Sequence, residues 1–116
     1  MRGERKDMDA AETQKRMQAL LAQYQDRLLR QLDEMQALAA QLNGEAADQA
    51  VYAVLRERLH KLAGSGGTFG QPELGRRCLS LECLLDGWLA ADAPPIDAGM
   101  RRQFLADLAA LAGALA

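Results

Sequence analysis

From Asp9 to Leu42 the sequence contains neither proline nor glycine, and its apolar residues recur at the spacing of an α-helix. Met17, Leu21, Tyr24, Leu28, Met35, Leu38 and Leu42 fall on one stripe, with polar and charged residues between them. The same period continues downstream. Val51, Leu55, Leu59, Leu62 and Gly66 form a second stripe, with Phe69 one turn further on. Leu74, Cys78, Leu81, Leu85 and Trp88 form a third, flanked by Leu84, and Phe104, Leu108, Leu111 and Leu115 form a fourth. β-Branched residues are few, which leaves little material for strands. The fold class is all-α.

Breaker chemistry divides the chain into helices at about 9–42, 46–68, 72–90 and 98–115. Asn43-Gly44 stops the first, because both residues tolerate a left-handed cap. Gly70 closes the second, and Pro72 opens the third where a proline sacrifices no hydrogen bond. Ala91-Asp92-Ala93-Pro94-Pro95-Ile96 is a linker, and Asp97 is suited to cap the last helix. Residues 1–8 are charged, lack periodicity and read as a flexible tail. A first helix of this length extends roughly 50 Å. A break before Met17, or a turn or two projecting from the bundle, is therefore expected; the other reading of the overhang is a self-association surface. Short connections favour an antiparallel up-down-up-down four-helix bundle with an N-terminal helical extension, one domain over 9–116. The alanine-rich C-terminus is expected to fray.

Composition excludes several function classes. The 116 residues fit one core, and the net charge of −2 with mixed signs gives no basic face for nucleic acid. No apolar run approaches the ~18–20 residues of a membrane span, and the N-terminus lacks the apolar segment of a signal peptide. A cytoplasmic location is the default. Cys78 and Cys83 are five apart on one helix and face different directions, so they read as reduced packing thiols. Trp88 and the methionines read as core.

The one histidine, His60, lies roughly 140° around the helix axis from the centre of its core face and points to solvent. Ala53, Arg56, Glu57, Ala63, Gly64 and Gly67 surround it on the helix surface. Most are alanine or glycine, so another protein can approach the imidazole closely. A mid-helix glycine costs about 1 kcal/mol relative to alanine. A helix that keeps Gly64 and Gly66-Gly67 beside an exposed histidine has a steric reason to do so. Neutral imidazole is a competent nucleophile near pH 7. Glu57 and His60 form an E-x-x-H pair, but a carboxylate-bridged metal site needs a second such pair turned inward, so the metal reading fails. Glu57 either accepts an imidazole N–H and selects the tautomer or is an ordinary solvated carboxylate. No nucleotide-binding loop is present, since Gly64-Ser65-Gly66-Gly67 is too short and lacks the lysine.

His60-x-Leu62-x-Gly64-Ser65, then Gly70 and Pro72-Glu73-Leu74…Cys78…Leu81-Glu82, resembles the signature of histidine-containing phosphotransfer (HPt) domains. The motif covers residues 60 to 82, and the order and length of the helices extend the resemblance over most of the chain. The resemblance implies a bundle that carries a phosphoryl group on His60 and exchanges it with the aspartate of a response-regulator receiver domain in a two-component phosphorelay. It implies a stoichiometric carrier rather than an enzyme, with no cofactor on this chain and Mg²⁺ on the receiver. A receiver domain and a hybrid histidine kinase are the partners it suggests, and a monomer is expected. Many members carry lysine three residues after the histidine, where this chain has Ala63. Lys61 and Arg56 are the cations available instead. Gly64 and Gly67 give clearance for the partner. Ser65 either bonds back to a helix carbonyl or holds the His60 turn from beneath, and Gln71 either approaches His60 or caps a helix. Arg76 and Arg77 either meet an acidic receiver surface or form charge pairs on a solvated face. The alternative function is a non-catalytic bundle that binds a receiver or another signalling protein without transfer.

Overall fold

The computed structural model describes residues 2–115, with side chains from Asp9 onward. It comprises four helices, α1 (Arg2–Ala39), α2 (Asp48–Thr68), α3 (Pro72–Trp88) and α4 (Ala98–Ala109), with a 3-10 segment (Ala110–Ala114) continuing α4. No strand occurs among the described residues. The all-α helical bundle expected from the periodicity is what forms. The chain divides into two compact units, Met1–Arg30 and Gln31–Ala116.

The first unit is the N-terminal part of α1. Residues 1–8, expected as a flexible tail, are helical from Arg2; Met1 and the side chains of residues 2–8 lie outside the described residues. Arginine, glutamate and lysine are strong helix formers, which outweighs the missing apolar period. The break expected before Met17 does not occur, because Gln14, Lys15 and Arg16 also favour helix. Met17 and Leu21, expected in the core, are exposed at 55% and 43%, while Leu28 is buried. Periodicity gives the face on which apolar residues gather, and not whether that face is covered.

In the second unit, α1 contributes Leu32, Met35 and Ala39 to the core, while Leu38 and Leu42 are half-buried. The helix ends at Ala39 rather than Leu42: the Gln41 and Leu42 amides bond three residues back, to Leu38 and Ala39, in a tightened final turn. Asn43-Gly44 still reverses the chain, with Gly44 at φ +86°. The stop is organised by Asp48, whose buried carboxylate accepts the Asn43 amide at 3.1 Å and the Gly44 amide at 2.7 Å. That bond places the start of α2 at Asp48 rather than Ala46.

Helices α2 and α3 run antiparallel, since their partners count in opposite directions: Arg56 meets Asp86, His60 meets Glu82, and Gly66 meets Gly75. A Cβ on Gly66 would sit 2.9 Å from the Gln71 carbonyl and the Gly75 backbone, so the two backbones touch there. Gly70, at φ +77°, and Pro72 make the turn between them. Phe69, expected on the core face, is exposed at 44% because α2 ends at Thr68 and the chain leaves the helical path. At the other end of this pair, Tyr52, Trp88 and Phe104 bring α2, α3 and α4 together, with ring centroids 5.6–5.7 Å apart. Asp97 caps α4 as expected, accepting the Met100 amide at 2.8 Å. The C-terminal segment, expected to fray, is a 3-10 turn with Leu111 and Ala114 buried.

Candidate functional site

Leu55, Leu59 and Leu62 fix the buried face of α2, and this fixes His60 on the opposite side, with its side chain 59% exposed. On α3, Leu81 and Leu85 set the core face, and Glu82 lies at its flank beside α2. The His60 Nδ1 is 2.7 Å from Glu82 Oε1, and the Glu82 side chain is only 8% exposed. A carboxylate oxygen accepts, so this contact places a ring proton on Nδ1, and in the neutral ring the lone pair is then on Nε2. The buried carboxylate is compensated by the imidazole N–H and by Arg56, whose Nη2 lies 3.5 Å from the same oxygen.

Sequence reasoning offered Glu57 for the tautomer-selecting role; the structure gives the Nδ1 contact to Glu82. Glu57 is exposed, and its recorded partner is Arg56 Nη1 at 3.5 Å. Three residues before His60 on one helix, it lies on the outward surface, whereas Glu82 approaches from the neighbouring helix. A signal for Glu82 was present. About a turn at Gly70-Gln71, residues 60 and 82 lie nearly equidistant, and a charged side chain beside Leu81 and Leu85 needs a partner.

The two candidate cations separate. Arg56 faces α3, where its Nε donates to Asp86 Oδ1 at 2.7 Å. That hydrogen bond, and then the Asp86 charge, raise the guanidinium above its ordinary pKa. Lys61 lines a cavity of about 250 Å³ with Gln31, Glu34, Met35, Arg58 and Leu62, on the side of α2 turned to α1.

The small residues sort into two kinds. Added Cβ atoms at Gly64 and Gly67 would meet nothing within 4 Å, so the fold does not require glycine at either position. Gly66 and Gly75 are required for helix contact, and the Ala63 carbonyl lies 3.2 Å from where a Gly75 Cβ would be. Ser65, half-buried, donates from Oγ to the Leu62 carbonyl at 3.5 Å. Gln71 is buried at the N-cap of α3. Its amide donates to the Gly66 carbonyl at 2.7 Å, and its carbonyl accepts from the Gly75 amide at 3.0 Å. Its backbone therefore ties α2 to α3.

Arg76 and Arg77 both pair with Glu73, the latter at 3.1 Å, and the Arg77 hydrogen bond, followed by the Arg76 charge, holds Glu73 below its usual range. Cys78 is buried, and burial pushes its thiol up to about 11. Cys83, expected as a packing thiol, is exposed because it falls on the far side of α3 from the core stripe. Among the described residues, no group of three or more His, Cys, Asp and Glu is placed to hold a metal ion.

Neither the curated proteins nor the solved structures compared with this sequence gave a match. A family model, the Hpt domain, matches residues 8–114 and so includes His60, Glu82, α1 from residue 8 onward and the whole of α2, α3 and α4. With that match covering nearly its full length, the chain belongs to the Hpt domain family.

Proposed function

We propose that this protein is a phosphorelay intermediate: His60 Nε2 takes a phosphoryl group from the aspartate of a response-regulator receiver domain and gives it up again. The family as a whole works in phosphotransfer within two-component signalling, as phosphocarriers rather than enzymes. The observation that carries the reading for this chain is the His60–Glu82 pair, a 2.7 Å contact between an exposed imidazole and a buried carboxylate. Its Nδ1 is occupied, its Nε2 lone pair is free to attack, and Gly64 and Gly67 leave open space beside it.

Phosphoryl transfer needs in-line positioning and neutralised charge more than covalent help from the protein. Glu82 supplies positioning, because a ring held at Nδ1 cannot rotate Nε2 away from the incoming phosphorus. It also supplies charge, because the ring becomes positive when Nε2 bonds phosphorus. The receiver brings the aspartate and Mg²⁺, and this chain works without a cofactor of its own, as a monomer in the cytoplasm. Among the described residues no helix is long and apolar enough to cross a membrane.

The test is incubation with a panel of prephosphorylated receiver domains and Mg²⁺, read by intact mass. One added phosphate is expected, lost in acid, stable in alkali and absent from His60→Gln. Labelling retained in His60→Gln would end the proposal. Ala63, in place of the lysine common in this family, favours a second reading as a docking module without transfer; receiver binding with no mass gain is its signature.

A further inference from the structure

Resting on the phosphocarrier reading, one question concerns the cation that meets the phosphoryl group, since position 63 is alanine. Arg56 is one helical turn before His60. Its guanidinium is anchored at one point: Nε donates to Asp86 Oδ1 at 2.7 Å. Its other two nitrogens are loosely held, with Nη1 3.5 Å from Glu57 Oε2 and Nη2 3.5 Å from Glu82 Oε1. Contacts of that length are weak, so those donors retain capacity for a better acceptor. Glu82 Oε1 also accepts the hydrogen bond from His60 Nδ1. One buried oxygen is thus shared between the phosphoryl-accepting ring and the guanidinium.

We propose that Arg56 is the phosphoryl-binding cation of this site, kept in place by Asp86 and released from Glu82 by the transfer itself. In the step, the Nε2 lone pair forms the N–P bond as the bond from phosphorus to the receiver's aspartyl oxygen breaks. That electron pair leaves with the aspartate as carboxylate. The Nδ1 proton stays where it is, so the ring becomes cationic beside Glu82 and replaces Arg56 as its counter-charge. The Nη donors of Arg56 then turn to the phosphoryl oxygens, which offer a dianion with three strong acceptors. Reversal of the step returns Arg56 to Glu82. Lys61 takes no part, because it borders the cavity toward α1 with Glu34 and Arg58.

The experiment compares transfer rates from a phosphorylated receiver to the full-length wild type and to Arg56→Ala, Arg56→Lys, Lys61→Ala, Asp86→Asn and the Arg56→Ala/Asp86→Asn pair. Thermal melting confirms that each is folded. Arg56→Ala is expected to slow transfer by about tenfold or more, the scale of a lost charge-assisted hydrogen bond. Arg56→Lys recovers part of the loss, and Lys61→Ala stays within about twofold of wild type, like other exposed charges. Asp86→Asn slows transfer only while Arg56 is present, so the double variant matches Arg56→Ala. Lysine placed at position 63 (Ala63→Lys) in the Arg56→Ala background restores the rate. Wild-type transfer by Arg56→Ala, or a loss that follows Lys61 instead, overturns the assignment and leaves the carrier reading standing. A wild type that accepts no phosphate from any receiver overturns both.

Discussion

An imidazole on an open helix face has two ring nitrogens to offer, and in His60 one is engaged: Nδ1 lies 2.7 Å from Glu82 Oε1. Glutamine at position 82 keeps an acceptor within reach but removes the charge that stabilises a cationic ring. We predict that Glu82→Gln slows phosphoryl acceptance by about tenfold and Glu82→Ala by more, with little loss of helix content; stopped-flow or quench-flow transfer assays read the first and circular dichroism the second. The two cysteines provide a separate check on the packing of α3. With its thiol pushed up to about 11 by burial, Cys78 carries almost no thiolate at neutral pH, whereas Cys83 is exposed. Native protein should alkylate once, at Cys83, and denatured protein twice. Two modifications on the native protein would contradict the packing. His60 and its exposure were legible in the sequence because helical period alone fixes which face a residue takes. The partner of Glu82 does not follow from the period of one helix, since a contact across two helices depends on their register, and register becomes visible only when the turn at Gly70 is used as a fold line.

At the scale of the element, α2 carries glycines of opposite meaning two residues apart. Gly66 lies against the Gly75 backbone with no space for a Cβ, while Gly64 faces open space. Gly66→Ala should therefore destabilise the protein by about 1–3 kcal/mol through a forced shift of α3. Gly64→Ala should stabilise it by about 0.5–1 kcal/mol through helix propensity. A bulkier change, Gly64→Gln, should keep that stability and slow transfer by obstructing the partner. Urea melts of the three variants, paired with transfer rates, check both halves; a Gly64→Gln rate equal to wild type would show that clearance is not limiting. The helix ends show why boundaries were less legible than the helices. Asn43-Gly44 predicts the stop of the first helix after Leu42, whereas α1 ends at Ala39, and the start of α2 is set by the Asp48 carboxylate gathering the Asn43 and Gly44 amides, a tertiary device with no periodic signal.

At the scale of the molecule, the all-helical bundle followed from four amphipathic stripes because each needs cover that only the others can give. The N-terminal stripe is the exception: Met17, Leu20 and Leu21 have the helical period and remain exposed. Amphipathicity predicts a face and leaves its occupant undetermined. The bundle is a scaffold whose core does not include the His60 ring, so His60→Gln should keep its helix content and lose no more than about 1–3 kcal/mol of stability, the cost of a weakened contact to the buried Glu82 carboxylate, which keeps Arg56 beside it.

The most direct measurement uses the fact that the chain has one histidine, so one imidazole contributes to the spectrum. Long-range ¹H–¹⁵N NMR of the protein, before and after phosphorylation by a receiver, reports which ring nitrogen holds the proton and which the phosphorus. The expected result is an Nδ1–H tautomer in the free protein, shifted by Glu82→Gln, and an Nε2–phosphoryl bond with the Nδ1 proton retained. A free protein in the Nε2–H tautomer, or phosphorus on Nδ1, would contradict it.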